Sequence, residues 1–347
     1  LLLSENLVEK GPNYKWLASF AVRKVAGALR ALPVKHSEGA SRSAKTYHLY
    51  QYTVPLGNPW FLGSSYVDLL APETTREFIR VTHKRYKAAV GGDFGGAIPA
   101  IFTDEPSLPF SDECPGPAIP WTPALPDVFR SRRGYDLMPL LISLFLPVGD
   151  FRKVRHDFYR TVNELFVENF AKPIYQWCQA NGIAHTGHMM AEDTLAYQMR
   201  FSCGVMPFYE YFQIPGIDHL GNNINDAGTA KQTSSVADQL GRKRVLSELY
   251  GTSGQDLNLK GRKWIADWHL ALGINLLNPH LWLYTMRGAR KRDFPPDIGY
   301  QQPHFAKWKS LSDRNARLSQ LLTRGTRVVD TLVIHPIETG WCVTTPL

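Results

Sequence analysis

Apolar and polar positions alternate along the chain in two rhythms, one of period near 3.6 and one of short continuous runs. Leu17, Val25, Leu29 and Leu32 fall near a helical spacing that ends at Pro33, which predicts a helix over 14–32. A polar Ser/Gly/Ala stretch follows at 36–45, then strand-like runs at 46–54 and 64–70. Pro72 with Glu73 beside it opens a predicted helix through Ala89.

From there strands and helices take turns. Apolar strands are predicted at 98–103, 183–190, 216–220, 244–250 and 274–284. Between and after them the pattern gives helices near 123–146, 151–181, 192–203, 229–240, 260–273 and 304–324, and a last buried-strand run at 327–335. Such alternation argues for α/β architecture with a parallel sheet. Six or seven units suit a (β/α)8 TIM barrel, incomplete at the N-terminus. No Gly-rich phosphate loop follows any strand, which removes the main reason to prefer a doubly wound sheet. The expected division is an unplaced segment 1–45, a partial catalytic barrel 46–325 and the start of an accessory domain at 326–347.

Composition narrows the partners more than the fold. The 347 residues are 44% hydrophobic and 20% charged, ordinary globular usage. A net charge of +8 is spread out, and its two dense runs, Arg130–Arg133 and Arg287–Arg292, read as solvated loops rather than a nucleic-acid stripe. Cys114, Cys178, Cys203 and Cys342 form no C-x-x-C pair, so zinc ribbons and thiol redox chemistry lack support. No apolar run is long enough to span a membrane. The chain opens on Leu1-Leu2-Leu3 without Met, and is expected to be a piece of a longer protein.

In a barrel, residues at the C-terminal ends of strands face the active site. Two strands end in acids: Ile98–Thr103 runs into Asp104-Glu105-Pro106, and Val245-Leu246-Ser247 into Glu248-Leu249-Tyr250. On strand alternation Glu105 shares a face with Thr103, and Asp104 points away. One such glutamate is more simply a salt-bridged or capping carboxylate. Two in equivalent places, three strands apart, suit the acid and the second carboxylate of glycoside hydrolysis. Trp60, Phe61, Tyr66, Tyr250, Trp282 and Tyr284 are candidates to stack on sugar faces, against core packing for any one of them.

His185 and His188 look like a metal pair, but positions i and i+3 of a strand face opposite ways. His188 is therefore a substrate contact or a structural histidine. Glu192, with Asp193, either holds sugar hydroxyls or caps the next helix; Asp218 and His280 sit at further strand ends with the same ambiguity.

An ordered set of segments resembles the bacterial α-L-rhamnosidase type, glycoside hydrolase family 106. They are Gly57–Trp60, Ser65–Leu70, Phe102–Pro106, Arg133–Asp136, Thr186–His188, Ile214–Asp218, Ser247–Gly251, Asp267-Trp268, Gly273–Asn275, Asn278–His280 and Asp293–Pro296. The resemblance implies a (β/α)8 catalytic domain within a multidomain protein, and removal of a terminal sugar, most of all α-L-rhamnose, with inversion. It implies Glu105 as general acid and Glu248 as general base; the candidates to contact the sugar are Trp60, Asp68, His188, Glu192, Asp218, Tyr250, His280 and Tyr284. It associates a calcium ion with the site, for which Asp68, Glu192 and Asp218 are equal claimants as ligands. An oligo- or polysaccharide substrate and a periplasmic or extracellular home are further implications. Alternatives are a retaining β-galactosidase-like barrel, a non-catalytic carbohydrate-binding barrel, or metal-dependent hydrolysis through the histidines.

Overall fold

A computed structural model describes residues 1–7, 11–35, 43–108, 114–292 and 294–346. Most of the polar stretch at 36–45, and Asp293 of the last family-like segment, lie outside the described residues.

The first 52 residues build an antiparallel sheet of β1 (Leu2–Ser4), β2 (Tyr14–Val25), β3 (Ala28–Pro33) and β4 (Lys45–Tyr52), in the order β1-β4-β2-β3. The helix expected over 14–32 is therefore a hairpin. Val25 pairs with Ala28, and the two residues between them, Ala26 and Gly27, both have positive φ (49° and 83°). That is the mirror-image turn whose twist matches a hairpin. The apolar residues that suggested a helix are not the core ones: Val25 and Leu32 are exposed, while Phe20 and Val22 are buried. The run expected as a strand at 46–54 is present as β4, but it pairs with β1 and β2 and not with the parallel strands. The strand expected at 64–70 is a loop, anchored by buried Leu69 and Leu70.

The rest alternates as the apolar runs predict. A helix Pro72–Phe78 continues through a π turn, Ile79–His83, into Lys84–Val90. Five parallel strands follow: β5 (Ala100–Thr103), β6 (Ala184–Gly187), β7 (Ile214–His219), β8 (Leu246–Leu249) and β9 (Leu276–Pro279), paired in chain order. Helices Leu125–Arg133, Phe151–Phe166, Lys172–Ala180, Leu195–Phe201, Ala227–Gln239, Leu259–Leu272 and Phe305–Leu321 occupy the connections and the end. Among the described residues this is a curled five-stranded sheet, half of a barrel; a closed eight-stranded barrel is not present.

The run expected as a strand at 327–335 pairs with nothing among the described residues. Val328, Leu332, Val333 and Ile334 stand in solvent. Arg327 fixes its start, bonding to Asp238 at 3.1 Å. Beyond it the helix Ile337–Val343 returns to the core, where buried Trp341 donates its indole N–H to the Cys203 carbonyl at 2.7 Å.

The strand ends that matter converge because two glycines let backbones touch. A Cβ on Gly187, whose φ is +135°, would lie 2.0 Å from the Thr103 carbonyl oxygen. One on Gly216 would lie 2.4 Å from the Gly187 carbonyl oxygen. Both contacts are to backbone, which cannot swing aside. Gly187→Ala is expected to cost about 3 kcal/mol or more, from clash and strained φ together. Chemical denaturation checks this; an unchanged midpoint would contradict the packing described.

Candidate active site

Each acid of interest sits at the C-terminal edge of the half-barrel. β5 ends at Thr103, and Glu105 adopts a left-handed φ of 44°, which breaks the strand's alternation. Asp104, already past the end of β5, does not turn away as alternation predicts: its Oδ1 lies 3.4 Å from His188 Nε2. His188 follows directly on Gly187 at the end of β6, and its N–H bonds the Thr103 carbonyl at 3.3 Å. Glu248 lies on β8, in register with Asp218 on β7 and Asn278 on β9.

His188 is the hub. It is buried to 1% exposure, and Nε2 donates to Glu248 Oε2 at 3.0 Å. Burial alone would lower its pKa. The bond to Glu248 and the negative charges of Glu192, Asp218 and Glu248 outweigh that and raise it to about 9, so the ring is an imidazolium at neutral pH. The consequence for Glu248 is the reverse: burial would push its carboxyl up, but His188 and His280 (Nε2 3.9 Å from Oε1) hold it below the ordinary value.

Glu105 has a different environment. Burial raises its carboxyl, and neighbouring Asp104 and Glu248 add to that, while His188 opposes them without prevailing. Asp218 goes further, to about 8, through burial and the carboxylates of Glu248, Glu105 and Glu192. Its Oδ1 is buried without a partner. Two glutamates at one sheet edge are thus held in opposite protonation tendencies, which is the pattern that acid–base pairs need.

The remaining expected residues divide. Glu192 neither caps a helix, a role taken by Thr194, nor stands free for a sugar. It is buried and accepts from Met189 N–H (3.0 Å), Tyr209 O–H (2.7 Å) and Asp218 N–H (3.1 Å), and burial lifts it to about 7. His185 is a core residue: it accepts from the Thr103 hydroxyl at 3.0 Å, donates to the Tyr211 carbonyl at 3.1 Å and stacks on Phe212. Tyr250, expected to meet a sugar face, is buried with its hydroxyl on the Arg262 carbonyl at 3.0 Å. Its φ of 82° turns it inward once β8 has ended, so it leaves the set. Asp68 is held by the Thr122 hydroxyl (2.7 Å) and the Leu70 N–H (2.9 Å), a local loop clasp. Trp60 and Tyr284 are strongly exposed and touch none of the clustered acids. What the sequence did not reveal is Asp104's place beside His188 and the tie from Glu192 to Tyr209.

Asp104, His188 and Glu248 could be mistaken for a metal centre, since one donor atom from each lies within 4.8 Å of the others. The chemistry disagrees. As an imidazolium, His188 hydrogen-bonds Glu248 through Nε2 and offers that atom to no ion, and calcium takes oxygen ligands. Glu192 and Asp68 already accept N–H and O–H donors. The trio fits an ion pair.

Comparison with known proteins comes to the same place. A family described as alpha-L-rhamnosidase, Glyco_hydro_106, matches residues 64–334. No curated protein sequence matches. Among solved structures, the chain is similar to a rhamnosidase from Novosphingobium sp. PP1Y, with a TM-score of 0.61 and 19% identity. The match covers 85% of this chain and 29% of that one, so this chain spans under a third of the solved protein's length. At that identity the likeness speaks to fold.

The His188–Glu248 pair carries a pH signature. A histidine raised above its unfolded value contributes stability that is whole below about pH 6.5 and lost as the pH rises through about 9. His188→Gln is therefore expected to lose roughly 3 kcal/mol against wild type at pH 6. The gap should close by pH 10. Urea titrations across that range test it, and a gap independent of pH contradicts the pairing.

Proposed function

The chain belongs to the α-L-rhamnosidase family of glycoside hydrolases, glycoside hydrolase family 106, and on that premise we propose that it removes a terminal α-L-rhamnose by acid–base catalysis between Glu105 and Glu248. The observation that carries the assignment of roles is the opposite bias of the two carboxyls. Glu105, pushed up by burial, keeps its proton and gives it to the departing glycosidic oxygen. Glu248, kept ionised by His188, takes a proton from the water that attacks the anomeric carbon. The C1–O bond breaks as the C1–water bond forms, and the configuration inverts.

Supporting residues follow from the same geometry. His188 acts on Glu248 as its counter-charge and its orienting donor. Glu192 is too deeply occupied for substrate; it holds the Asp218 backbone, and through it the Asp218 carboxyl beside Glu248. Asp218, protonated at neutral pH, offers an O–H to a sugar hydroxyl where an ionised carboxylate would only accept. His280 comes directly after the last strand, with its Nε2 3.9 Å from Glu248 Oε1.

Glu105→Gln and Glu248→Gln should each lower kcat on a rhamnosyl disaccharide by roughly 10²–10⁴-fold with the fold intact. Near wild-type turnover in either would remove that residue from the mechanism. The wild-type pH profile should have an acid limb below the ordinary glutamate value, from Glu248, and a basic limb above it, from Glu105. Proton NMR of the first-formed product should show β-L-rhamnose; first release of the α anomer would mean retention.

A further inference from the structure

The loop after β9 carries features that hydrolysis at the strand ends leaves unused. Trp282, Tyr284, Phe294 and Tyr300 are exposed there by 56%, 91%, 47% and 68%. Between the first and last of these rings the chain makes a 3-10 turn, Gly288–Arg292, and presents Arg287, Lys291 and Arg292 to solvent. None of these three cations pairs with a carboxylate among the described residues.

The loop is held in place. Gln255 donates to the Lys291 carbonyl at 2.9 Å and accepts the Asp297 N–H at 3.1 Å. Gly254 N–H reaches the Pro295 carbonyl at 3.3 Å, and buried Arg262 donates to the Asp297 carbonyl at 3.1 Å. Gln255 belongs to the loop that leaves β8 just after Glu248. The Phe294 ring is 6.4 Å from His280, itself 3.9 Å from Glu248. The loop thus reaches the clustered acids at Phe294, and the basic turn and the other exposed rings belong to the same held loop.

From this juxtaposition we propose that the loop is a leaving-group subsite for a polyanionic glycan, a proposal that rests on the hydrolase reading above. Exposed rings stack on the C–H faces of pyranoses, and solvent-facing Arg and Lys take up acidic groups. Nucleic acid suits the loop less well. Its phosphates repeat at every unit and would be driven against Asp104, Glu105 and Glu248, whereas a neutral deoxysugar at the end of an acidic chain puts no charge there.

The test uses the full chain and the triple variant Arg287→Ala/Lys291→Ala/Arg292→Ala, run in native gels containing polygalacturonate, a sulfated galactan, neutral dextran or single-stranded DNA. Wild type should be retarded by polygalacturonate, by the sulfated galactan or by both, the pair revealing which anion the loop takes, and hardly by dextran. The triple variant should lose about tenfold in that affinity, and added salt should weaken wild type in the same direction. On a neutral aryl α-L-rhamnoside the variant should match wild type, while kcat/KM on a rhamnosyl-uronate falls about tenfold. Equal retardation in dextran, an unchanged triple variant, or tighter binding to DNA than to either glycan would overturn the proposal. Failure of wild type to cleave the aryl rhamnoside would strike the hydrolase reading instead, and the gels would still decide the loop's role.

Discussion

A buried imidazolium against Glu248 sets the charge state of everything around it. Without His188, three carboxyls (Glu105, Asp218 and Glu248) would face one another at one sheet edge with nothing to offset burial and mutual repulsion. With it, one negative charge is fixed on Glu248 at 3.0 Å, and that charge then helps to push the Glu105 and Asp218 carboxyls up. The opposite bias of two chemically identical glutamates follows from where one cation sits.

The position of that cation is a backbone matter. His188 comes immediately after Gly187, and Gly187 lies against the Thr103 carbonyl so closely that only glycine fits. Gly216 repeats the approach one strand further on. These contacts draw β5, β6 and β7 together at the edge where the acids emerge. Catalytic geometry and sheet curvature therefore depend on the same few atoms.

Much of this was legible in the sequence, for a definite reason. Parallel strands covered by helices read as short apolar runs, so β5 to β9 and the helices between them stand out without any knowledge of their partners. Glu105 and Glu248 stand out as acids where such a run stops. The failures share a cause as well. Residues 14–32 mimic a helical spacing, yet they form the β2–β3 hairpin, which the non-local pairing of β2 with β4 ties into a sheet. The runs at 64–70 and 327–335 have strand composition, yet find no neighbouring strand among the described residues. Tyr250 and Asp104 escape the alternation because both lie past a strand end, where Tyr250 also takes a positive φ. The His188–Glu248 bond spans 60 residues, a distance at which no local pattern speaks.

The central claim is that the two glutamates titrate apart, in a stated order, because of His188. The most direct measurement is carboxyl ¹³C NMR of the glutamate-labelled protein, with Glu105→Gln and Glu248→Gln used to assign the signals. The account requires Glu248 to titrate below the ordinary glutamate range and Glu105 above it, with Glu248 moving up when His188 is replaced by Gln. Coincident titration of the two near the ordinary value, or the reverse order, would contradict it.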